Sequence, residues 1–592
     1  MSESPPSDDL GGAPQPVETP DLYGGFPRLE PARIEMLATR GRRRPTRRGE
    51  VLIREGEPDP AFYVVLRGMV EVVEGYQTPE QRVVRVHGPG RFLGELGLLN
   101  RQASFFTSVV AVAGEVLEVP IEQIRALVNQ DVAFGDEILR AYLIRRSLAI
   151  GVGAGFRIVG SRYSADTARL REFAARNRLP HRVLDLDSDA EAEQLLRQLE
   201  VPPRDIPLVV WGQQILRNPS NAQLAELIGL PTPNRYSGGD CDLLVVGAGP
   251  AGLAAAVYGA SEGLHTVVLD AVAAGGQAAL SPRIENYLGF PAGISGAELA
   301  ERAVIQADKF GARAQVPIAA TALCRADGHY LVELDNGGQV STRTVVVATG
   351  ARYRRLAVPR LEEFEETSVF YAATQLEAQM CARDPIVVVG GGNSAGQAAL
   401  FLAEHASEVR MVVRENTLDE YMSRYLADRI LADPRIEVFV RTEVRELLGH
   451  RGVLEAVVVE DTATGQRRRL PARELMVFIG ATPCTSWLGD MVERDSGGYL
   501  RTGSAVTEHA AEYARLGRAP LPLETSAPGV FAAGDVRSGS AQRVAAAVGE
   551  GAMAVRLVHE HLGGLTARPT AGQLAGVFAQ LHDSTEHTAD HQ

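Results

Sequence analysis

The chain is poor in cysteine and lysine and has no long apolar run. Its four cysteines, Cys241, Cys324, Cys381 and Cys484, stand singly, which argues against a disulfide-stapled secreted domain. The longest apolar runs fall short of the roughly 18 residues that span a bilayer. The opening stretch, MSESPPSDDLGGAPQPVETP, lacks the charged-then-apolar order of a signal peptide. The cytoplasm is therefore the expected compartment, with no membrane span and no metal. Lys309 is the sole lysine among 60 basic residues, a skew we attribute to a GC-rich genome. A net charge of −14 argues against nonspecific nucleic-acid binding. The exception is Arg40, Arg42, Arg43, Arg44, Arg47 and Arg48, read as a solvated strand edge.

What the chain does have is two glycine fingerprints 143 residues apart, Gly247-Ala248-Gly249-Pro250-Ala251-Gly252 and Gly390-Gly391-Gly392-Asn393-Ser394-Ala395. Each follows an apolar strand pattern (Asp242 to Val246; Pro385 to Val389) and opens a helical one. Glycines in that setting let the backbone turn tightly and approach a pyrophosphate at a helix N-terminus, where unpaired N–H groups favour negative charge. After the first fingerprint, the strand His265 to Leu269 ends at Asp270, placed to accept hydrogen bonds from a ribose diol. After the second, Val409 to Val413 ends at Arg414 and Glu415. Arg414 suits a 2′-phosphate and Glu415 a free diol, so NADH and NADPH both remain open.

From about Cys241 to Leu562 the chain resembles the thioredoxin reductase family of two-dinucleotide flavoproteins. The resemblance rests on the fingerprints and five further segments. Gly275-Gly276-Gln277 and Ile284-Glu285-Asn286-Tyr287 correspond to residues that line the flavin. Ala348-Thr349-Gly350 corresponds to a strand-end turn, and Val530 to Asp535, with Gly534-Asp535 at its end, to the flavin-ribityl motif. Gln542-Arg543-Val544 opens a helix whose N-terminus points at the flavin in that family, where a positive helix end stabilises the reduced anion. The resemblance implies FAD, NADPH or NADH, a FAD domain split by an inserted NAD(P) domain, and a homodimer.

One departure bears on mechanism. The family's C-x-x-C dithiol lies about fifteen residues ahead of the second fingerprint, and here that stretch reads Ala372-Ala373-Thr374-Gln375. Without two thiols in bonding reach, disulfide exchange by the family's usual route is not expected. Reduced flavin must then pass electrons to an acceptor near Tyr371 to Gln375: a quinone, a small iron–sulfur or flavin protein, or dioxygen. No catalytic residue is assigned.

Ahead of this region, short β-like runs between Gly49 and Val119 (among them Ala61 to Leu66 and Met69 to Val73) precede helical patterning from Ile121 to Leu148. Gly94-Glu95-Leu96-Gly97-Leu98-Leu99 resembles the phosphate cassette of cyclic-nucleotide-binding β-rolls. The family's phosphate-binding arginine and following Ser/Thr fall here on Phe105 and Phe106, which cannot neutralise a phosphate, and Arg101 stands four residues earlier. A cyclic-nucleotide site at Gly94, Glu95, Leu96 and Arg101 is one reading; a β-roll serving dimerisation, docking or another ligand is the other. Residues 155–230 alternate strand and helix and resemble a thioredoxin or glutaredoxin fold, with Ile206-Pro207 where that family keeps a cis-proline. Its dithiol is also absent, from Ser161-Arg162-Tyr163-Ser164, so a scaffold or docking role is expected.

The expected multi-domain architecture is a disordered tail (1–26), a cyclic-nucleotide-binding-like domain (27–150), a thioredoxin/glutaredoxin-like α/β domain (155–230) and a linker (231–239). A FAD domain (240–356 and 485–563), an NAD(P) domain (357–484) and a C-terminal tail (564–592) follow. The expected function is a FAD-dependent NAD(P)H oxidoreductase with an unknown acceptor, with the N-terminal domain as its candidate regulator. The alternatives are a flavin-containing sensor with negligible turnover and a thioredoxin-disulfide reductase using non-standard cysteines.

Overall fold

The computed structural model describes residues 16–566 except 58–60, 79–80, 95–102, 152, 199–201, 203–204, 213, 231–240, 282–283, 285, 327, 366, 372, 374–377, 379–382, 451 and 508–509. The linker expected at 231–239 and the tail beyond 566 therefore lie outside the described residues. The chain divides into two compact units. One comprises residues 1–236, 269–319 and 352–482, the other 237–268, 320–351 and 483–592.

The first unit begins with helix α1 (Pro31–Ala38) and a β-roll of β1 (Arg42–Thr46), β2 (Val51–Ile53), β3 (Phe62–Glu74), β4 (Arg82–His87), β5 (Phe92–Leu93) and β6 (Thr107–Val119). The sheet order is β1-β6-β3-β4, with β2 on β6 and β5 on β3. The runs Ala61–Leu66 and Met69–Val73 are one strand, β3, bent where its register with β6 shifts. Gly68 (φ +86°) makes the bend possible, and a Cβ on the facing Gly114 would lie 2.0 Å from the Arg67 carbonyl oxygen. Strand β1 is an edge, as expected: Arg42 and Arg44 donate to Glu118 at 2.9 and 2.7 Å, and Arg43 to Glu35 at 2.6 Å. A charged edge discourages pairing with another chain.

The helical stretch after β6 is two helices, α2 (Ile121–Gln130) and α3 (Val132–Gly151). Asp131 separates them in an extended conformation and accepts the Phe134 N–H at 3.0 Å, starting the new helix as the old one stops. Phe62, Phe92 and Leu117 of the sheet pack against Ile124, Phe134, Ile138 and Tyr142. Within the 1–26 stretch expected to be disordered, Thr19 N–H donates to the Val86 carbonyl and Phe26 is buried, while residues 1–15 lie outside the described residues.

A second sheet follows from β7 (Phe156–Gly160), α4 (Ala165–Arg176), β8 (His181–Asp185), α5 (Ala190–Gln198), β9 (Leu208–Trp211), β10 (Gln214–Arg217) and α6 (Asn221–Leu227). Its order is β10-β9-β7-β8, with β7 parallel to β8 and antiparallel to β9. The Ile206-Pro207 peptide is cis. Phe105, from the β-roll, is buried in the core of this sheet with Phe156, Phe173 and Trp211.

The remaining elements are β11 (Cys241–Val246), α7 (Pro250–Ser261), β12 (Thr266–Leu269), α8 (Gly296–Lys309), β13 (Arg313–Gln315), β14 (Ala320–Ala326), β15 (His329–Leu334), β16 (Gln339–Val347), β17 (Ala351–Tyr353), α9 (Leu361–Phe364), β18 (Val369–Phe370), β19 (Pro385–Val389), α10 (Asn393–Leu402), β20 (Glu408–Val412), α11 (Arg424–Ala432), β21 (Ile436–Phe439), β22 (Thr442–His450), β23 (Val453–Asp461), β24 (Arg467–Pro471), β25 (Glu474–Val477), β26 (Ala481–Pro483), α12 (Ala510–Leu516), β27 (Val530–Ala532) and α13 (Val544–Thr566).

In the second unit, β11 and β27 both run parallel to β16. Leu243, Leu244, Val245 and Val246 are all buried, as expected of a parallel strand covered on both faces. Helix α13 lies close on α7: a Cβ on Gly551 would meet the Ala251 carbonyl oxygen at 2.1 Å. In the first unit, five parallel strands in the order β18-β25-β19-β20-β21 carry the second fingerprint, and β22, β23 and β24 form a separate antiparallel sheet.

Candidate functional site: two dinucleotide cradles

The first cradle is built within the second unit. Gly247 leaves β11 at φ +105°, and a Cβ there would lie 2.3 Å from the Ala348 carbonyl oxygen on the neighbouring strand. Gly249 caps α7 and Pro250 opens it, where the missing N–H costs no helical bond. A Cβ on Gly252 would lie 1.8 Å from the Gly247 carbonyl oxygen. No side chain fits at 247 or 252, so the turn presents backbone, and the first-turn amides of α7, beginning with Ala251, face outward from a positive helix end.

The C-terminal motif closes on the same place. Gly534 (φ +76°) would carry a Cβ 3.0 Å from that of Ala251, and its N–H donates to Glu550 on α13 at 2.7 Å. Glu550 also pairs with Arg537. Burial and the nearby negative charge of Glu550 push the Asp535 carboxyl above its usual range. Thr349 donates its hydroxyl to the Cys484 carbonyl at 2.8 Å, beside Gly350 at φ +65°. Gln542 (φ +49°) and Arg543 lead into α13 at Val544. The signal for Glu550 in the sequence is an acid between Gly549 and Gly551 in the apolar first half of its helix.

The other flavin-lining candidates lie in the first unit. Asp270 Oδ1 accepts the Val272 and Ala273 N–H groups, each at 3.0 Å. Gly275 (φ +100°) and Gly276 (φ +55°) form a turn with Gln277 that α8 clamps: a Cβ on Gly275 would meet that of Ala300 at 2.6 Å. Asn286 is exposed, and Glu285 lies outside the described residues.

The second cradle also lies in the first unit. Gly390 (φ +142°) would place a Cβ 2.3 Å from the Phe478 carbonyl oxygen; Gly392 caps α10, which starts at Asn393 and Ser394, and Ala395 is buried beneath. Beyond β20, the Glu415 side chain is only 10% exposed whereas that of Arg414 is 75% exposed. Glu415 Oε1 accepts the Arg414 Nε–H at 2.8 Å. Its Oε2 has no hydrogen-bond partner among the described residues and lies 2.6 Å from where a Cβ on Gly391 would stand. The buried carboxylate, not the arginine, therefore faces the fingerprint. Glycines that admit no side chain, helix N-termini and an unpartnered acceptor at the second strand's end fit two dinucleotides.

At the expected acceptor region, Tyr371 donates its hydroxyl to Glu365 at 2.6 Å and stacks on Tyr353, centroids 6.3 Å apart and rings 7° from parallel. Ala373 is described; Ala372, Thr374, Gln375 and Cys381 lie outside the described residues. In the β-roll, Gly94 ends β5 at φ +96°, and Glu95, Leu96 and Arg101 lie outside the described residues. Phe105 is 1% exposed, its ring 5.6 Å from that of Trp211, and Phe106 packs beside it. Among the described residues no helix is long and apolar enough to cross a membrane, and no cluster of side chains suits a metal ion.

Comparison with known proteins agrees with this geometry. The pyridine nucleotide-disulphide oxidoreductase profile matches residues 241–551 and a cyclic nucleotide-binding domain profile matches residues 43–131. A thioredoxin reductase from Treponema pallidum is 34% identical over 323 residues, 55% of this chain and 97% of that protein. A 34.2 kDa protein in the rubredoxin operon of Clostridium pasteurianum is 31% identical over the same shares. The crystal structure of Lactococcus lactis thioredoxin reductase (FR conformation) is 25% identical, covers 54% of this chain and 98% of its own, and superposes with a TM-score of 0.48. The chain thus belongs to the pyridine nucleotide-disulphide oxidoreductases, as a thioredoxin reductase-like, FAD-dependent enzyme using NADPH or NADH and carrying an N-terminal cyclic nucleotide-binding domain.

Proposed function

We propose that this enzyme passes electrons from NADH through FAD to a non-disulfide acceptor, under the control of its β-roll. The observation that carries the acceptor reading is the sequence Ala372-Ala373-Thr374-Gln375 where the family places its dithiol. Flavin supplies the switch from hydride to electron transfer when bound. The chain's own residues hold the two dinucleotides, point the α13 N-terminus towards developing negative charge, and leave thiol chemistry out. The stacked rings of Tyr353 and Tyr371 favour a planar acceptor of the quinone class.

The preference for NADH rests on Glu415. A 2′-phosphate at the end of β20 meets a buried carboxylate whose positive neighbour is already paired and mostly in solvent. A free ribose diol instead supplies the donors that Oε2 lacks. The residues lining Gly94 to Phe106 and the four-stranded middle sheet, which we take as a thioredoxin-type scaffold without thiols, serve regulation. Support comes from the buried contacts that Tyr142 and Arg146 of α3 make with Glu301 on α8, the helix that clamps the Gly275–Gln277 turn.

Anaerobic stopped-flow reduction of the FAD-loaded protein, with NADH and NADPH in turn, tests this reading. Bleaching of flavin by NADH at a rate well above that with NADPH is expected, followed by reoxidation with a quinone and none with a disulfide. Bound flavin that neither nucleotide reduces overturns the enzyme reading in favour of a sensor. Disulfide reduction lost in Cys381→Ala overturns the acceptor assignment in favour of a true disulfide reductase.

A further inference from the structure

The β-roll and α3 line a partly open cavity of about 270 Å³. Its walls are mainly apolar, with Ile53, Val72, Leu93 and Phe105 from the roll and Leu148 and Ala149 from α3. No Asp or Glu is among the described residues that line it, whereas Arg85 and Arg145 both lie against the Phe26 ring at one end. Arg145 there is committed to the Gly25 and Phe92 carbonyls at 2.7 and 3.1 Å, and Arg146 to the Asn177 and Arg178 carbonyls and Glu301.

Arg85 differs from both. It is half-buried, its guanidinium sits 4.6 Å from the centre of the Phe26 ring, and no carboxylate pairs with it among the described residues. Burial and the like charges of Arg91 and Arg145 make its cation harder to keep, so an anion brought beside it is strongly favoured. His87, 2% exposed, also lines this end, and its Nδ1 has no hydrogen-bond partner among the described residues. Burial and the surrounding arginines hold its ring neutral. A buried polar atom without a partner is destabilising, and a polar ligand group relieves that cost.

A cyclic nucleotide suits this cavity poorly. Its phosphate would meet Phe105 and Phe106, both packed into the neighbouring core. We propose that the β-roll cavity is an effector site for a small carboxylate with an aryl or alkyl body, the carboxylate pairing with Arg85 beside His87 and the body filling the apolar end. The regulatory part rests on the function proposed above. It has a physical route, because Tyr142 and Arg146 both line the cavity and hold Glu301.

Isothermal titration of the full-length, FAD-loaded protein with 4-phenylbutyrate, octanoate, 4-phenylbutyramide and cAMP tests the assignment, alongside flavin reduction by NADH. One carboxylate per chain is expected to bind, with the neutral amide at least tenfold weaker and cAMP without measurable heat. Arg85→Gln is expected to weaken carboxylate binding at least tenfold with flavin reduction in the absence of ligand unchanged, which reports an intact fold. Arg85→Lys is expected to recover part of the affinity. Ala149→Phe, which fills the cavity, abolishes it. Tighter binding of cAMP, equal binding of acid and amide, or binding of neither carboxylate overturns the assignment. Carboxylate binding that leaves the flavin reduction rate unchanged overturns the effector role alone. Binding to a protein whose flavin NADH does not reduce retains the site and overturns the oxidoreductase reading.

Discussion

The Tyr142 hydroxyl donates to Glu301 Oε1 at 2.8 Å, joining residues 159 positions apart in the sequence. Glu301 Oε2 also lies in ion-pair contact with the Arg178 guanidinium, 3.1 Å from its Nε, and the three side chains and Arg146 are largely removed from water. Removing the carboxylate charge leaves two arginines without their counter-ion in a poorly solvated place. Glu301→Gln is therefore expected to destabilise the protein by about 3–5 kcal/mol, and Tyr142→Phe by about 1–2 kcal/mol. Urea unfolding of each variant measures the difference.

Glu415 governs nucleotide choice. Glu415→Gln keeps the shape but weakens the hydrogen bonds to a ribose diol, and NADH affinity is expected to fall about tenfold to a hundredfold. Glu415→Arg removes the repulsion and adds a phosphate partner, reversing the preference towards NADPH. The ratio of kcat/KM for NADPH and NADH reads both effects.

Gly252 admits no Cβ, since one would lie 1.8 Å from a carbonyl oxygen. Gly252→Ala is expected to push α7 off β11 and to lose FAD during purification while the rest of the chain stays folded. Flavin-to-protein absorbance and circular dichroism check the two halves of this statement.

Acid is expected to destabilise the second unit through Glu524. This side chain is fully buried, accepts two hydrogen bonds from Arg518 at 2.6 and 2.8 Å and takes the Leu521 and Gly529 N–H groups, which together outweigh desolvation and bring its carboxyl down from 4.5 to about 2. A lowered folded pKa stabilises the fold above the unfolded value, and that contribution is lost as pH falls from 4.5 towards 2, amounting to about 3 kcal/mol. Glu524→Gln is expected to be less stable at pH 7 and to show a flatter stability profile across that window, as seen in Tm against pH.

Much of the two cradles was legible in advance because strand, glycine turn and helix are local. Pro385–Val389 has the bounds the pattern predicts, and the helix the second fingerprint opens starts at Asn393. What the pattern left undecided was long-range. Arg414 and Glu415 are adjacent in sequence, and only folding shows one side chain in solvent and the other against Gly391. The bend in β3 depends on the facing strand, since Gly68 needs Gly114 opposite it to continue as one strand. The antiparallel sheet of β22, β23 and β24 escaped notice because its residues carry no chemistry-bearing motif. Glu301 escaped notice because its partners Tyr142, Arg146 and Arg178 all lie more than a hundred residues away.

Phe105 belongs by sequence to the β-roll and by packing to the next sheet, where it sits with Phe156, Phe173 and Trp211. Cutting the chain near residue 150 would strip a large aromatic from one core and bare it on the other piece, at a cost of about 3–5 kcal/mol to the sheet that loses it. The roll and the sheet thus form a single mechanical piece: each holds one side of the hydrophobic seam that Phe105 closes.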